Sequence, residues 1–319
     1  MSPRSVGSPV GSPDPAWRPT PSDPPPTLAS SRPLPDVPGV RHSVVTARGV
    51  RFHVAQAGSG EPVVMLHGFP QHWYAWRRLI PLLSGDYRLI CPDMRGFGWS
   101  QATRRGYDSG TRAQDVLAIM DAMGLDRVRL VGHDWGGWAG FMLCTRAPER
   151  VSHYLALNIV HPWPLHRNLL PGAWRFWYTA ILETPGLGRW ALQHRPSFTR
   201  FLMSRAVGDH TWDADELDEY AAASREPGPS RAGEALHRQF VFQDITALVT
   251  HRYHRLRLTV PSLLLAGERD PVISPKLLPG GERCAPDLRM RVVPGRGHFL
   301  AEEDPKLVAR AARELFGAR

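Results

Sequence analysis

From residue 41 onward, short apolar runs alternate with stretches whose apolar residues recur every three or four positions. Ser43–Ala47 and Val50–Ala55 read as paired strands around a turn at Arg48-Gly49. Pro62–Leu66, Tyr87–Cys91, Val128–Val131, Val151–Val160, Ser262–Ala266 and Met290–Val293 are brief, continuously apolar runs suited to strands buried on both faces. Between them, Trp76–Leu83, Thr111–Met123 and Gly137–Thr145 have helical spacing, and Pro305–Phe316 closes the chain as a final helix. On Thr111–Met123 the residues Val116, Ile119, Met120 and Met123 share one face, and Gly124 stands just past the end. Strands alternating with helices predict an α/β fold, a mostly parallel central sheet flanked by helices.

Two stretches break this rhythm. Residues 161–250 carry Pro162, Pro164, Pro171, Pro185 and Pro196, several tryptophans and helical spacing without an apolar strand. They are expected to form a helical insert, a lid, between the core segments 41–160 and 251–319. Pro227-Gly228-Pro229 is expected to turn the chain between two of its helices. Residues 1–40 are rich in Pro, Ser and Gly, including Pro24-Pro25-Pro26. With few large apolar residues to offset its ordering entropy, this segment is expected to be a disordered tail.

Composition narrows the class. At 42% hydrophobic residues the chain can build a full core, and no run of about 18 apolar residues suggests a membrane span. The N-terminus lacks the apolar stretch of a secretory signal. Cys91, Cys144 and Cys284 stand far apart with no paired spacing, which suggests reduced thiols and a cytoplasmic protein. A formal charge of +9 raises the question of nucleic acid, but the arginines are scattered and no nucleic-acid motif is present. An arginine-biased solvated surface accounts for the charge. His251-x-x-His254 has metal-ligand spacing but no third ligand at a useful distance, so neither a metal nor another cofactor is expected.

The strongest chemical signal is Val131-Gly132-His133-Asp134-Trp135-Gly136-Gly137, after a strand and opening a helix. A nucleophile on a tight strand-to-helix turn needs small neighbours, because the helix must approach the strand closely. Gly132 and Gly136 supply them at minus two and plus two. An aspartate here could be a simple helix N-cap; glycines on both sides favour a nucleophile.

Together with His67-Gly68-Phe69-Pro70 and Asp93-Met94-Arg95-Gly96-Phe97-Gly98-Trp99-Ser100, this elbow resembles the epoxide hydrolase branch of the α/β-hydrolase family, over about residues 41–319. The resemblance implies an α/β-hydrolase fold with a helical lid, and opening of an epoxide to a vicinal diol through an alkyl ester on Asp134. It places the base at His298, in Pro294-Gly295-Arg296-Gly297-His298-Phe299, and the orienting acid at Asp270, in Gly267-Glu268-Arg269-Asp270-Pro271, with Glu268 and Asp304 as rival acids. The backbone N–H groups of Phe69 and Trp135 are the implied oxyanion donors. Epoxide hydrolases protonate the departing oxygen with lid tyrosines, usually two. Tyr178, seven residues before Pro185-Gly186, matches the first; His237 falls where the second is expected, with Tyr253 and Tyr220 as alternative donors. His67, Trp73 and Trp177 are expected to line the pocket, and the lid's aromatics suggest a small neutral hydrophobic substrate.

Haloalkane dehalogenation uses the same aspartate route, but dehalogenases often carry Asn where this chain has Phe69, and fluoroacetate-type enzymes carry Arg where it has Trp135. A ligand-binding protein without turnover would have little use for the full Asp134, Asp270 and His298 set.

Overall fold

The computed structural model describes residues 28–165 and 179–317. Its centre is an eight-stranded sheet: β1 (Arg41–Ala47), β2 (Val50–Ala57), β3 (Glu61–Leu66), β4 (Tyr87–Pro92), β5 (Val128–His133), β6 (Val151–Leu157), β7 (Ser262–Gly267) and β8 (Leu288–Val293), in the order β1-β2-β4-β3-β5-β6-β7-β8. The pairs β1/β2 and β2/β4 are antiparallel; every later pair is parallel. Arg48 and Gly49 both take positive φ (52° and 71°), the backbone a two-residue hairpin needs to match strand twist. Alternate residues of β3 face opposite cores, Val63 and Met65 one and Val64 and Leu66 the other, which explains a run with no polar member.

Helices cover both faces. The stretch expected to be one helix over 76–83 is instead a 3-10 turn, Trp73–Trp76, and a single turn, α1 (Ile80–Leu83). Pro81 has no N–H to donate, so a continuous helix cannot run through it. In α2 (Ser109–Ala122) Asp108 caps the N-terminus through Thr111 N (2.8 Å), and α3 (Trp135–Arg146) follows the elbow. Cys91, Cys144 and Cys284 are buried and unpaired.

The chain leaves the sheet after Leu157 and returns at Ser262. Among the described residues between lie α4 (Thr179–Glu183), α5 (Leu187–His194), α6 (Pro196–Arg205), α7 (Ala214–Arg225), α8 (Pro227–Gln239) and, after a π-helical turn, α9 (Thr246–Val249). Pro227-Gly228-Pro229 is not a turn but the first turn of α8, behind an extended Glu226. The first N–H groups of a helix have no intrahelical partner, so proline is tolerated there. After β8, α10 (Leu300–Glu303) and α11 (Pro305–Phe316) complete the fold, and α11 buries Val308, Leu315 and Phe316. Each such side chain contributes about 1.5–3 kcal/mol.

A buried cluster fastens the insert to the core. Arg77 reaches Glu302 of α10 at 2.7 Å and bonds Glu216 of α7, while Tyr220 donates to Glu302 (2.6 Å). Part of the segment expected to be a disordered tail is ordered against the core. Residues 1–27 lie outside the described residues, but 28–40 pack on the body. Leu28, Leu34 and Val37 join the core, and Arg32 stacks on Trp99 (4.5 Å) and pairs with Glu219 of α7 (2.8 Å). A few apolar side chains and one well-placed arginine suffice to order a proline-rich strap.

Candidate active site

Parallel pairing in register, Leu66 with Gly132 and Gly132 with Ala156, aligns the C-terminal ends of β3, β5 and β6 on one edge of the sheet. The loops leaving this edge bring Phe69, Asp134, Asn158, Asp270 and His298 together.

Asp134 sits at φ 49°, ψ −120°, a backbone that a residue with a side chain rarely adopts. This bend turns its carboxylate out of the strand-to-helix line. A Cβ on Gly136 would lie 2.1 Å from the Leu66 carbonyl, and one on Gly68 would lie 2.5 Å from Asp134 Cβ. Neither neighbour can be anything but glycine. Asp134 Oδ2 accepts from Phe69 N (2.9 Å), and the amide of Trp135 follows directly in the chain. Of the two expected oxyanion donors, Phe69 N is the one in hydrogen-bond contact with the carboxylate. Oδ1 lies 3.7 Å from His298 Nε2, beyond hydrogen-bond reach. Burial pushes the Asp134 carboxyl above the ordinary range, while His298 and the two N–H groups pull it back.

His298 Nδ1 pairs with Asp270 Oδ2 (2.9 Å). Asp270 is 2% exposed, and its Oδ1 accepts from Val272 N (2.8 Å) and Ile273 N (2.9 Å). Glu268 and Asp304 are engaged elsewhere, with Gly295 N and with Leu307 N, and of the three carboxylates Asp270 is the one paired with His298 Nδ1. Burial alone would make His298 a weaker base; the charge and hydrogen bond of Asp270 and the charge of Asp134 outweigh it, raising His298 to about 9.

Two positioning residues escape a reading of sequence. Asn158, at φ 48°, donates through Nδ2 to Asp270 Oδ2 (3.0 Å) and to the Gly297 carbonyl (2.8 Å), tying acid to base loop. It ends β6 on the same edge as the other groups, a signal hidden when the apolar run is read through to Val160. Glu303 accepts from Gly297 N (2.8 Å) and Phe299 N (3.1 Å), on either side of His298, and from Gly208 N (2.9 Å) of the insert. His298 N itself donates to the Ala206 carbonyl (2.6 Å). The base is thus clamped between core and insert.

Several expectations change. His67 does not line a pocket: it is 2% exposed, with Nδ1 on the Gly68 carbonyl (2.9 Å) and Nε2 accepting from Met94 N (2.9 Å). With both nitrogens committed, it fixes the loop that carries Phe69. Trp73 is fully buried beside His42 and His53, under the β1/β2 end of the sheet. Its place at the start of a buried 3-10 turn makes it core rather than pocket wall. His237 does reach the site, its ring T-shaped against Phe69 (4.7 Å) and Trp135 (5.2 Å). It is a poor proton donor, however, because burial, with the Arg112 charge adding to it, lowers it to about 4. Tyr220 and Tyr253 bond Glu302 and Asp244 instead. Tyr178 and Trp177 lie outside the described residues. Among the described residues no three His, Cys, Asp or Glu side chains group to hold a metal, and no helix is long and apolar enough to cross a membrane.

Comparison with known proteins agrees with this geometry. The model of the alpha/beta hydrolase fold family matches residues 61–305. The chain is 27% identical over 284 residues to the soluble epoxide hydrolase of Corynebacterium sp. (strain C12), covering 87% of this chain and 97% of that one. Among solved structures, epoxide hydrolase A from Mycobacterium thermoresistibile superposes with a TM-score of 0.75 at 26% identity, over 88% of this chain and 99% of that one. A putative acyltransferase from Salmonella enterica superposes equally well, with a TM-score of 0.78 at 26% identity, over 90% and 98%. The fold is shared across reactions, so the site must decide the chemistry.

Proposed function

Because the chain belongs to the alpha/beta hydrolase fold family, we propose from its site that it opens epoxides to vicinal diols through a covalent alkyl ester on Asp134. The observation that carries this reading is a carboxylate at the nucleophile position, one oxygen held by the Phe69 N–H and the other turned toward His298. A serine would need a base to act; an ionised carboxylate does not. The relatives named as epoxide hydrolases support the same reaction.

In the first half-reaction, Asp134 Oδ1 bonds to a ring carbon, the epoxide C–O bond breaks, and the alkoxide takes a proton. Tyr178 is assigned as that donor on the resemblance of its sequence position. In the second half, His298 Nε2 takes a proton from water as it attacks Cγ, and the oxyanion forms at the Phe69 and Trp135 amides. The ester bond then breaks, the departing diol oxygen receives the proton from His298, and the second water proton, left on the Asp134 carboxyl, replaces the one that Tyr178 gave up, so that every group returns to its starting state. The 3.7 Å gap between Nε2 and Oδ1 suits a base that acts on water rather than on the carboxylate.

Charge couples the two halves. Alkylation removes the negative charge of Asp134, one of the groups that hold the proton on His298. The imidazole therefore becomes a freer base at the point where hydrolysis requires one. The insert acts as the lid over a site for a small neutral hydrophobic epoxide. The test is intact mass of a His298→Gln variant exposed to styrene oxide. The expected result is a stable adduct equal to the whole epoxide, mapped to the peptide bearing Asp134. No adduct with any epoxide, or adducts formed only from alkyl halides, contradicts the reading.

A further inference from the structure

His237 Nδ1 stands 2.7 Å from the Gly233 carbonyl, one turn back in α8. A carbonyl oxygen only accepts, so Nδ1 carries the hydrogen, and the neutral ring keeps its lone pair on Nε2. Nε2, at the tip of the side chain, has no hydrogen-bond partner among the described residues. The residue as a whole is only 4% exposed. Its ring stands against Phe69, whose amide donates to the nucleophile, and Trp135, which follows the nucleophile in the chain. The ring thus carries an acceptor beside the side chains of Phe69 and Trp135, which neighbour the nucleophile in space and in sequence, and none of the described residues satisfies it.

From this geometry we infer that His237 Nε2 accepts a hydrogen bond from the substrate, so that the enzyme selects epoxides with a hydroxyl beside the ring, the 2,3-epoxy alcohols. The inference rests on the epoxide-hydrolysis reading above and names its substrate class. A neutral donor fits better than an ammonium group, because the buried Arg112 guanidinium lies within electrostatic reach of His237 and repels a second cation. Its ring neighbours Phe69 and Trp135 are apolar, and Phe240 packs on Trp135 behind them, so a hydroxyl bound here displaces little competing polarity. A histidine in this place accepts where a tyrosine would donate. The exchange moves the residue from ring opening to recognition.

The test compares kcat/KM for trans-3-phenylglycidol and its O-methyl ether, using full-length wild type, His237→Leu and His237→Gln. Wild type is expected to prefer the alcohol about tenfold or more, since an ether leaves the acceptor unpaired. His237→Leu should bring the ratio close to one, and His237→Gln, whose Oε1 can accept, should keep most of it. Both substrates meet the same folded fraction, so the ratio is insensitive to partial misfolding. A wild-type ratio near one overturns the inference while leaving epoxide hydrolysis intact, as does a preference that survives in His237→Leu. If wild type hydrolyses neither compound and no epoxide labels Asp134, the reaction itself and this inference fall together.

Discussion

The sheet edge and the insert build the site in different ways. At the edge, Asp134, Asp270 and His298 leave the ends of β5, β7 and β8, and backbone amides fix their supports: Phe69 N on Asp134, Val272 N and Ile273 N on Asp270. The insert instead offers side chains from helices that pack on one another and are fastened to the core by a few buried contacts. Its contributions are His237 against the oxyanion pair and the 206–208 segment against the base loop. The lesson is a division of labour. Rigid strand ends carry the Asp134, Asp270 and His298 side chains, and the insert holds the base loop in place and, in the reading proposed above, meets the substrate.

This division predicts a graded set of losses. The deepest lies at the edge: Asp134→Ala should lower kcat by about 10⁴-fold or more, because the covalent route itself is gone. Epoxide turnover by the purified variant checks it, and residual activity near wild type would abolish the distinction. His298→Gln should cost about 10²–10⁴-fold in turnover. Its rapid-quench profile should show ester formation at nearly the wild-type rate, with hydrolysis alone slowed.

Fastening the insert is a matter of stability rather than of chemistry. Arg77→Leu leaves Glu302 and Glu216 facing each other in a buried site, and removing one partner from such a cluster costs about 3–5 kcal/mol. Denaturant unfolding should show the loss; a change below about 1 kcal/mol would mean that the cluster does not clamp the insert.

The smallest effect sharpens the comparison most, since Glu303 touches both regions. Glu303→Gln should lower kcat about tenfold. It should also move the acid limb of the ester-hydrolysis rate to lower pH, because a negative charge that favours protonated His298 is lost. The sign follows from His298. It holds its proton up to about 9 in the free enzyme, partly through Asp134, and alkylation removes that charge. In wild type the hydrolysis step should therefore rise with pH through an inflection below about 9, and Glu303→Gln should lie lower still. An unmoved inflection would leave Glu303 a merely structural clamp.

How much of this is legible in sequence follows the same boundary. The strands and the elbow are readable because the edge is built from short apolar runs with small residues at fixed offsets beyond them, whereas Phe69, Trp135, Asp270 and His298 come from the family resemblance of their motifs. Asn158 was obscured because two more apolar residues, Ile159 and Val160, extend the run past the true strand end. His67 and Trp73 sit beside the oxyanion loop in sequence, but their rings turn into the core, a direction that adjacency does not carry. Pro227-Gly228-Pro229 misleads because proline stops a helix interior yet is welcome in its first turn. His237 could be aligned to the site, but its tautomer depends on one carbonyl in its own helix, which only coordinates reveal.

The central claim is that Asp134 itself supplies the oxygen delivered to the substrate. A single turnover with enzyme in excess over epoxide, run in heavy-oxygen water, tests it most directly. Heavy oxygen should appear in the peptide bearing Asp134, and the first equivalent of diol should be unlabelled. Label in that first diol, with none in Asp134, would show that water attacks the epoxide directly and would contradict the account.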